Sequence, residues 1–171
     1  KRIRMGLIRL ALPLFVALSI PLSGLDFDLG SLKLRALDGV VSDQLRLGLH
    51  YALGKKNLVE AFFWYEKAAK AREPSAYHYV AKAYATGQGT PQNLELAKVW
   101  YEKAALRGSA TAMAKLGDLI SVDEENNTDD ALAHAWYALA VEHGETAWTG
   151  RRDRLAKGMS EETLELAREK V

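Results

Sequence analysis

WYEKAAKAR, residues 64–72, returns as WYEKAALRG at 100–108 and, less closely, as WYALAVEHG at 136–144. The two intervals, 64 to 100 and 100 to 136, are both 36 residues. A fixed period of about 20–50 residues marks an architecture of stacked repeats. Around the first phrase, Ala61, Trp64, Tyr65 and Ala68 stand at i, i+3, i+4 and i+7, which is one face of an α-helix. Ala97, Trp100, Tyr101 and Ala104 repeat that face, and Ala133, Trp136, Tyr137 and Ala140 repeat it again.

Upstream of each such helix a second set aligns: Leu47-Gly48 with Tyr51, Val80-Ala81 with Tyr84, and Leu116-Gly117 with Ile120. The last two sets are 36 residues apart and the first two 33, because GKKN after Leu53 is three residues shorter than GQGTPQN after Thr86. Length changes of this kind belong in loops. Each repeat therefore reads as a pair of helices. Gly48, Ala81 and Gly117 are small enough to let the first helix approach a neighbour closely, and Trp64, Trp100 and Trp136 are expected to fill the space between repeats. Gly54 and Gly87 are expected to end the first helices with positive φ, and Thr90-Pro91 makes a rigid connector. Glu66-Lys67 and Glu102-Lys103 fall on the solvent side. Each pair leaves an apolar face that only the next pair covers, so about three copies are the minimum for stability.

Both ends of the repeat array carry further elements. Residues 145–171 read as a degenerate fourth first-helix from Thr146, with Trp148 in the place of Ala112, followed by a helix that Ser160 can cap. Glu161 and Glu162 in its first turn suit the helix dipole, and a polar last helix is what an open stack requires. Residues 26–41 form a linker with a short helix expected over 32–40, placed to cover the other end.

Four cations (Lys1, Arg2, Arg4, Arg9) precede 16 uncharged residues, Leu10 to Leu25, among them Leu14, Phe15, Val16, Leu18, Ile20 and Leu22. This is the basic-then-apolar layout of an export signal. Sixteen residues is short for a spanning helix, which needs about 17–25, but a window opening at Ile3 with snorkelling arginines reaches that length. Pro13 and Pro21 are better tolerated in a membrane helix than in a soluble one. Three readings stand: an uncleaved anchor over residues 3–25, a signal cleaved after Ala17-Leu18-Ser19 or near Gly24, and a buried hydrophobic hairpin that fits the basic flank poorly. The anchor is the working expectation, the segment being still present at the head of the chain. Either export reading leaves the basic side in the cytoplasm and translocates the repeats.

Net charge is +1, from 23 basic and 22 acidic residues, so the electrostatic footprint of a nucleic-acid binder is lacking. With no cysteine, disulfides, thiolate metal sites and cysteine nucleophiles are excluded. No HExxH, GxSxG, SxxK, P-loop or GxGxxG occurs. His50, His78, His134 and His143 share no metal-ligand spacing, and no catalytic, cofactor or metal residues are assigned. The acidic stretch 121–130 lacks the order and central glycine of an EF-hand and reads as a solvated loop feeding the next helix. Arg151, Arg152 and Arg154 read as a solvated helix face.

The pattern A-x-x-x-LG-x-x-Y, G-x-G and A-x-x-WY-x-KAA-x-x-G resembles the Sel1-like repeat family, relatives of the tetratricopeptide repeats. Residues 75–109 come nearest, departing at Val80-Ala81 where the family shows Leu-Gly. The first copy, 42–74, lacks the G-x-G loop, and the third, 110–144, has a divergent loop and Leu139 where Lys is usual. The resemblance implies an all-α fold: a short right-handed α-solenoid of about three helix pairs plus C-terminal capping helices, here preceded by the hydrophobic, expected transmembrane, helix of residues 1–25. It implies a non-catalytic interaction module whose partners are proteins rather than nucleic acid or small molecules. Exported members act as scaffolds or accessory subunits of bacterial envelope complexes, so the expectation is a single-pass inner-membrane protein with periplasmic repeats. A cleaved, soluble periplasmic adaptor is the alternative. Relatives resembling penicillin-binding or β-lactam-hydrolysing enzymes carry cysteine pairs, which this chain lacks. In such arrays the first helices form the concave wall, and the partner-facing residues expected there are Arg46, His50, Tyr79, Lys82, Lys115 and Asp118, receiving a segment of acidic character.

Overall fold

The computed structural model describes residues 28–121 and 127–171, so the expected membrane segment and residues 122–126 of the acidic loop lie outside the described residues. Among the described residues all regular structure is helical. Three pairs make the stack: α2 (Val41–Leu49) with α3 (Leu58–Lys70), α4 (Pro74–Thr86) with α5 (Leu94–Ala105), and α6 (Ala110–Ile120) with α7 (Asn127–Glu142). A helix α1 (Leu29–Leu37) precedes them, and α8 (Thr149–Ala156) and α9 (Glu161–Arg168) follow. Each helix from α1 to α8 packs chiefly on its neighbours in the chain, and α9 returns to lie on α7.

Local chemistry sets the boundaries. Asn57 and Asn93, 36 residues apart, cap α3 and α5 by accepting from the N–H of Glu60 at 3.2 Å and of Leu96 at 2.9 Å. Ser109 caps α6, and Glu73 followed by Pro74 opens α4. Asp28 accepts from the N–H groups of Gly30 and Ser31, and this cap starts α1 at Leu29 rather than at the expected residue 32. Gly39, at φ +93°, turns the chain into α2. Gly87 ends α4 at φ +69°, as expected. Gly54 does not do so for α2: it sits in a π-helical turn, His50–Gly54, and the left-handed residue is Lys56 at φ +51°. The shorter GKKN connection is met by widening the last turn.

The aligned alanines Ala61, Ala97, Ala133, Ala68, Ala104 and Ala140 are all buried where paired helices meet. At the small-residue position the partner is a tyrosine. A Cβ on Gly117 would stand 2.7 Å from the Tyr137 ring, and one on Gly48 2.6 Å from the Tyr65 ring. Tryptophan, one residue and about 100° earlier on the helix, points elsewhere. Trp64 is buried against Leu32, Ala36 and Leu47, whereas Trp100, tilted against Tyr77 at 5.6 Å, and Trp136 are half-buried. The expectation that the tryptophans fill the space left by the small residues is thereby corrected. Lys103 Nζ sits 4.0 Å from the centre of the Trp100 ring and Lys67 Nζ 5.2 Å from that of Trp64, so these lysines shield indole faces rather than simply facing water.

Each second helix ends in a left-handed residue at the same register: Arg72 (φ +66°), Gly108 (φ +85°) and Gly144 (φ +100°). Only the first has a Cβ to strain. Arg72→Gly is expected to raise stability by about 1 kcal/mol, measured by urea unfolding. Gly117→Ala forces a methyl into the Tyr137 ring and is expected to lower stability by about 1–3 kcal/mol in the same assay.

Candidate functional site

The wall built from α2, α4, α6 and α8 carries all six residues expected to meet a partner, and the structure divides them into three groups. Arg46 and His50 line a cleft of about 390 Å³ against α1, with Leu29, Leu32, Leu49 and Leu53. Tyr79 and Lys82 line a second, of about 270 Å³, whose other walls include Leu49, Leu53, Phe62 and Tyr65. Leu49 and Leu53 belong to both clefts, which adjoin one another across these two leucines. Leu53 is 78% exposed between them, an unusual position for leucine. The Tyr79 ring stacks on Tyr65 with centroids 4.8 Å apart and planes inclined by 18°. Burial, and then the neighbouring Tyr79, push the Tyr65 phenol up to about 12, so it stays a neutral hydroxyl.

Lys115 and Asp118 are held differently. The Asp118 carboxylate accepts from Lys115 Nζ at 2.9 Å, from the Tyr137 hydroxyl at 2.9 Å and from the Arg151 guanidinium. Lys115 and Arg151 both lie over the Trp148 ring, 4.7 and 4.8 Å from its centre, and Trp148 stacks on Tyr137 at 5.8 Å. This cluster joins α6 and α7 to the 3-10 turn Thr146–Trp148 and to α8. Arg151 therefore fastens the end of the stack and is not a purely solvated side chain. Arg154 stays exposed on the same face, lining a cleft of about 350 Å³ with Ser121, Asp130, Tyr137, Arg151 and Leu155.

The wall thus changes character along its length, apolar and aromatic at Leu49, Leu53, Phe62 and Tyr79, cationic at Lys82, and ionic from Lys115 to Arg154. Phe62, Tyr65, Arg151 and Arg154 were not among the expected contact residues. The repeat register contains the signal for the last two: Tyr79, Lys115 and Arg151 recur at 36 residues, as do Lys82, Asp118 and Arg154.

Successive helix pairs whose second helices recur every 36 residues, stacked one on the next, define a helical-repeat protein. The model of the Sel1 repeat matches residues 41–72, 74–109 and 110–145, and the chain belongs to the Sel1 repeat family. Such repeats typically mediate protein–protein interaction and are generally non-catalytic. Among solved structures, the chain is similar to a protective antigen present in uropathogenic Escherichia coli strains and displaying an SLR fold. There the identity is 25% and the TM-score 0.69, over 81% of this chain and 30% of that one. It is also similar to a Sel1 repeat protein from Oxalobacter formigenes, with 32% identity and a TM-score of 0.59 over 66% of this chain and 47% of that one. The chain therefore spans less than half the length of either. No curated protein matches the sequence.

His78, on the wall side of α4, lies 5.8 Å from the Tyr101 ring. Burial, and secondarily Lys82 and Lys115, hold its imidazole below the usual value. Burial likewise lowers His134, with Arg152 and Arg168 adding to the effect and Asp153 opposing it. A histidine so shifted binds fewer protons folded than unfolded, so its contribution is complete above the ordinary value of about 6.5 and is lost as pH falls through it. Asp43, lowered chiefly by its hydrogen bond to Arg35, contributes stability that is complete above the ordinary carboxylate value of 3.8 and is lost only below it. Stability is expected to decline from pH 7 to 5, and the double variant His78→Gln/His134→Gln to flatten that decline, as read by urea unfolding across the range.

Proposed function

We propose that this chain is a protein-binding adaptor. Its receiving surface is the first-helix wall, and its apolar N-terminal segment fastens the repeats to the outer leaflet side of a bacterial inner membrane as an accessory subunit of a larger membrane complex. The observation that carries the reading is the adjoining pair of clefts that share Leu49 and Leu53, the second of them lined also by Lys82. Such a surface offers apolar anchoring pockets for an extended polypeptide. The exposed cations Lys82 and Arg154 on the same wall favour acidic residues in that polypeptide. Half-exposed apolar pockets beside a fixed charge are the composition expected of a peptide groove, with anchors giving affinity and charge giving register.

Nothing in this surface calls for a reacting group. Tyr65 and Tyr101 are held as neutral hydroxyls by burial, each pushed up to about 12. The imidazole of His78 has its charged form disfavoured by burial and by two lysines. These groups shape and hydrogen-bond; they are not poised to exchange protons near neutrality.

The test is site-specific photocrosslinking in intact cells, with the probe at position 82 and, as control, at Lys103 on the opposite side over Trp100. A discrete adduct from position 82 and none from 103 is expected, and mass spectrometry of the adduct should place the crosslink in an acidic segment of a membrane-complex subunit. Equal labelling at both positions would remove the wall as the binding surface. Mass spectrometry of the chain extracted from membranes should return the segment through Leu25 intact, and a mature terminus near Ser19 or Gly24 would leave a soluble adaptor instead.

A further inference from the structure

The two ends of the stack are finished in opposite ways. The last helix, α9, exposes Glu161, Glu162 and Glu165 around a single exposed leucine, Leu166 at 53%, a mostly polar outer face of the kind an open helical stack requires. The first helix, α1, does not. Its inner face is closed: Leu32 and Ala36 are buried against Leu47 and Trp64. Arg35 Nε bonds the buried Asp43 carboxylate at 2.6 Å, and Gln44 Nε2 donates to the Ala36 carbonyl at 3.1 Å. The outer face carries Leu34 and Leu37, 64% and 53% exposed, and Val40 follows at 41%. At about 100° per residue, Leu34 points directly away from the buried pair Leu32 and Ala36, and Leu37 lies about 120° from the middle of that pair. A helix apolar on both faces at the end of a stack is covered by something on its second face.

What lies next to it is set by the chain. Four peptide steps separate Leu25, the end of the uncharged segment, from Leu29, the first residue of α1. Four residues reach at most about 14 Å fully extended. The polar layer on each side of a bilayer's hydrocarbon core is about 5–8 Å thick. An anchor ending at Leu25 therefore keeps the start of α1 within about 14 Å of the hydrocarbon edge, close enough for the helix to lie in the headgroup layer. The outer face also carries Lys33 and Asp38, one charge of each sign, so the contact is apolar insertion rather than attraction to anionic lipid.

We infer that α1 lies flat on the membrane, with Leu34, Leu37 and Val40 sunk into the interfacial layer of the lipid. This inference rests on the anchor reading above. Because α1 is bonded rigidly to α2 through Asp43 and Gln44, a lipid-seated α1 fixes the orientation of the whole stack relative to the bilayer.

The chain has no cysteine, so single thiols can be placed at will. Full-length Leu34→Cys and Leu37→Cys variants, labelled with a nitrobenzoxadiazole dye, are reconstituted into phosphatidylcholine vesicles containing headgroup-region spin-labelled lipid. Leu106→Cys, on α5 and 81% exposed at the wild-type leucine, is the control. Blue-shifted emission and at least threefold stronger lipid quenching at 34 and 37 than at 106 is the expected result, unchanged when a third of the lipid is phosphatidylglycerol. A chain that floats with the vesicles while 34 and 37 report water like 106 overturns the inference and leaves the anchor standing. Blue-shifted emission without lipid quenching also overturns it, since a second copy or the chain's own apolar segment then covers the face. A chain that does not float at all removes the anchor reading and this inference together.

Discussion

The structure depends on one contact, the tyrosine ring of the second helix laid against a residue with no side chain on the first. Tyr65 on Gly48 and Tyr137 on Gly117 leave no room for a methyl group. That approach brings the helices close enough for the alanines Ala61, Ala68, Ala133 and Ala140 to be buried on the facing side. With small residues in the seam, the two helices of a pair pack closely, yet one apolar core runs on from each pair into the next. Stability then depends on contact with the next pair, which is why the phrase must be repeated. In the middle repeat Ala81 takes the place of glycine and is itself fully buried, with Tyr101 buried nearby in the same core.

The same tyrosines join the core to the wall. Their rings fill the seam, but their outer edges emerge where the next first-helix passes, and the residue met there decides the local chemistry. Tyr65 meets the Tyr79 ring and makes an aromatic cleft wall. Tyr137 meets Trp148 and shares Asp118 with Arg151, which makes an ionic lock. One structural position thus yields an open, apolar end and a closed, charged end.

The fold was legible because it is written as period and spacing. Ala–Trp–Tyr–Ala at i, i+3, i+4 and i+7 specifies a helix face without reference to anything distant, and Asn57, Asn93 and Ser160 cap helices in their own sequence neighbourhood. What misled was relative rotation. Sequence spacing shows that Trp64 and Tyr65 share a buried arc, but which of them meets Gly48 depends on how the two helices are rolled against each other. The roll is set by the seam, not by either helix alone. The candidate site was legible only in part for a similar reason. Lys82 and Tyr79 are found from register on one helix, whereas the Leu53–Phe62–Tyr65 side of the cleft comes from two other segments, the π-helical turn and α3. Asp118 looked available because its three partners sit at Lys115, Tyr137 and Arg151, two of them on other elements.

The gradient along the wall and the unequal ends point the same way. The apolar cleft lined by Leu49 and Leu53 adjoins α1, the element whose outer face carries Leu34 and Leu37. The ionic cluster of Asp118 and Arg151, with Arg154 exposed beside it, lies at the far end of the stack. If α1 rests on lipid as proposed, the apolar part of the groove is the membrane-proximal part and the charged part is distal. A partner segment emerging from the bilayer would then run along the wall in one direction, its apolar residues entering between Leu53 and Tyr79 and its acidic residues following toward Lys82 and Arg154. Reversing the segment would carry its apolar residues past Leu53 and Tyr79 to the Asp118–Arg151 cluster and leave Lys82 and Arg154 without acidic partners. Polarity of binding would in this way be built into the order of the repeats, each of which keeps the same seam and varies only what its tyrosine meets.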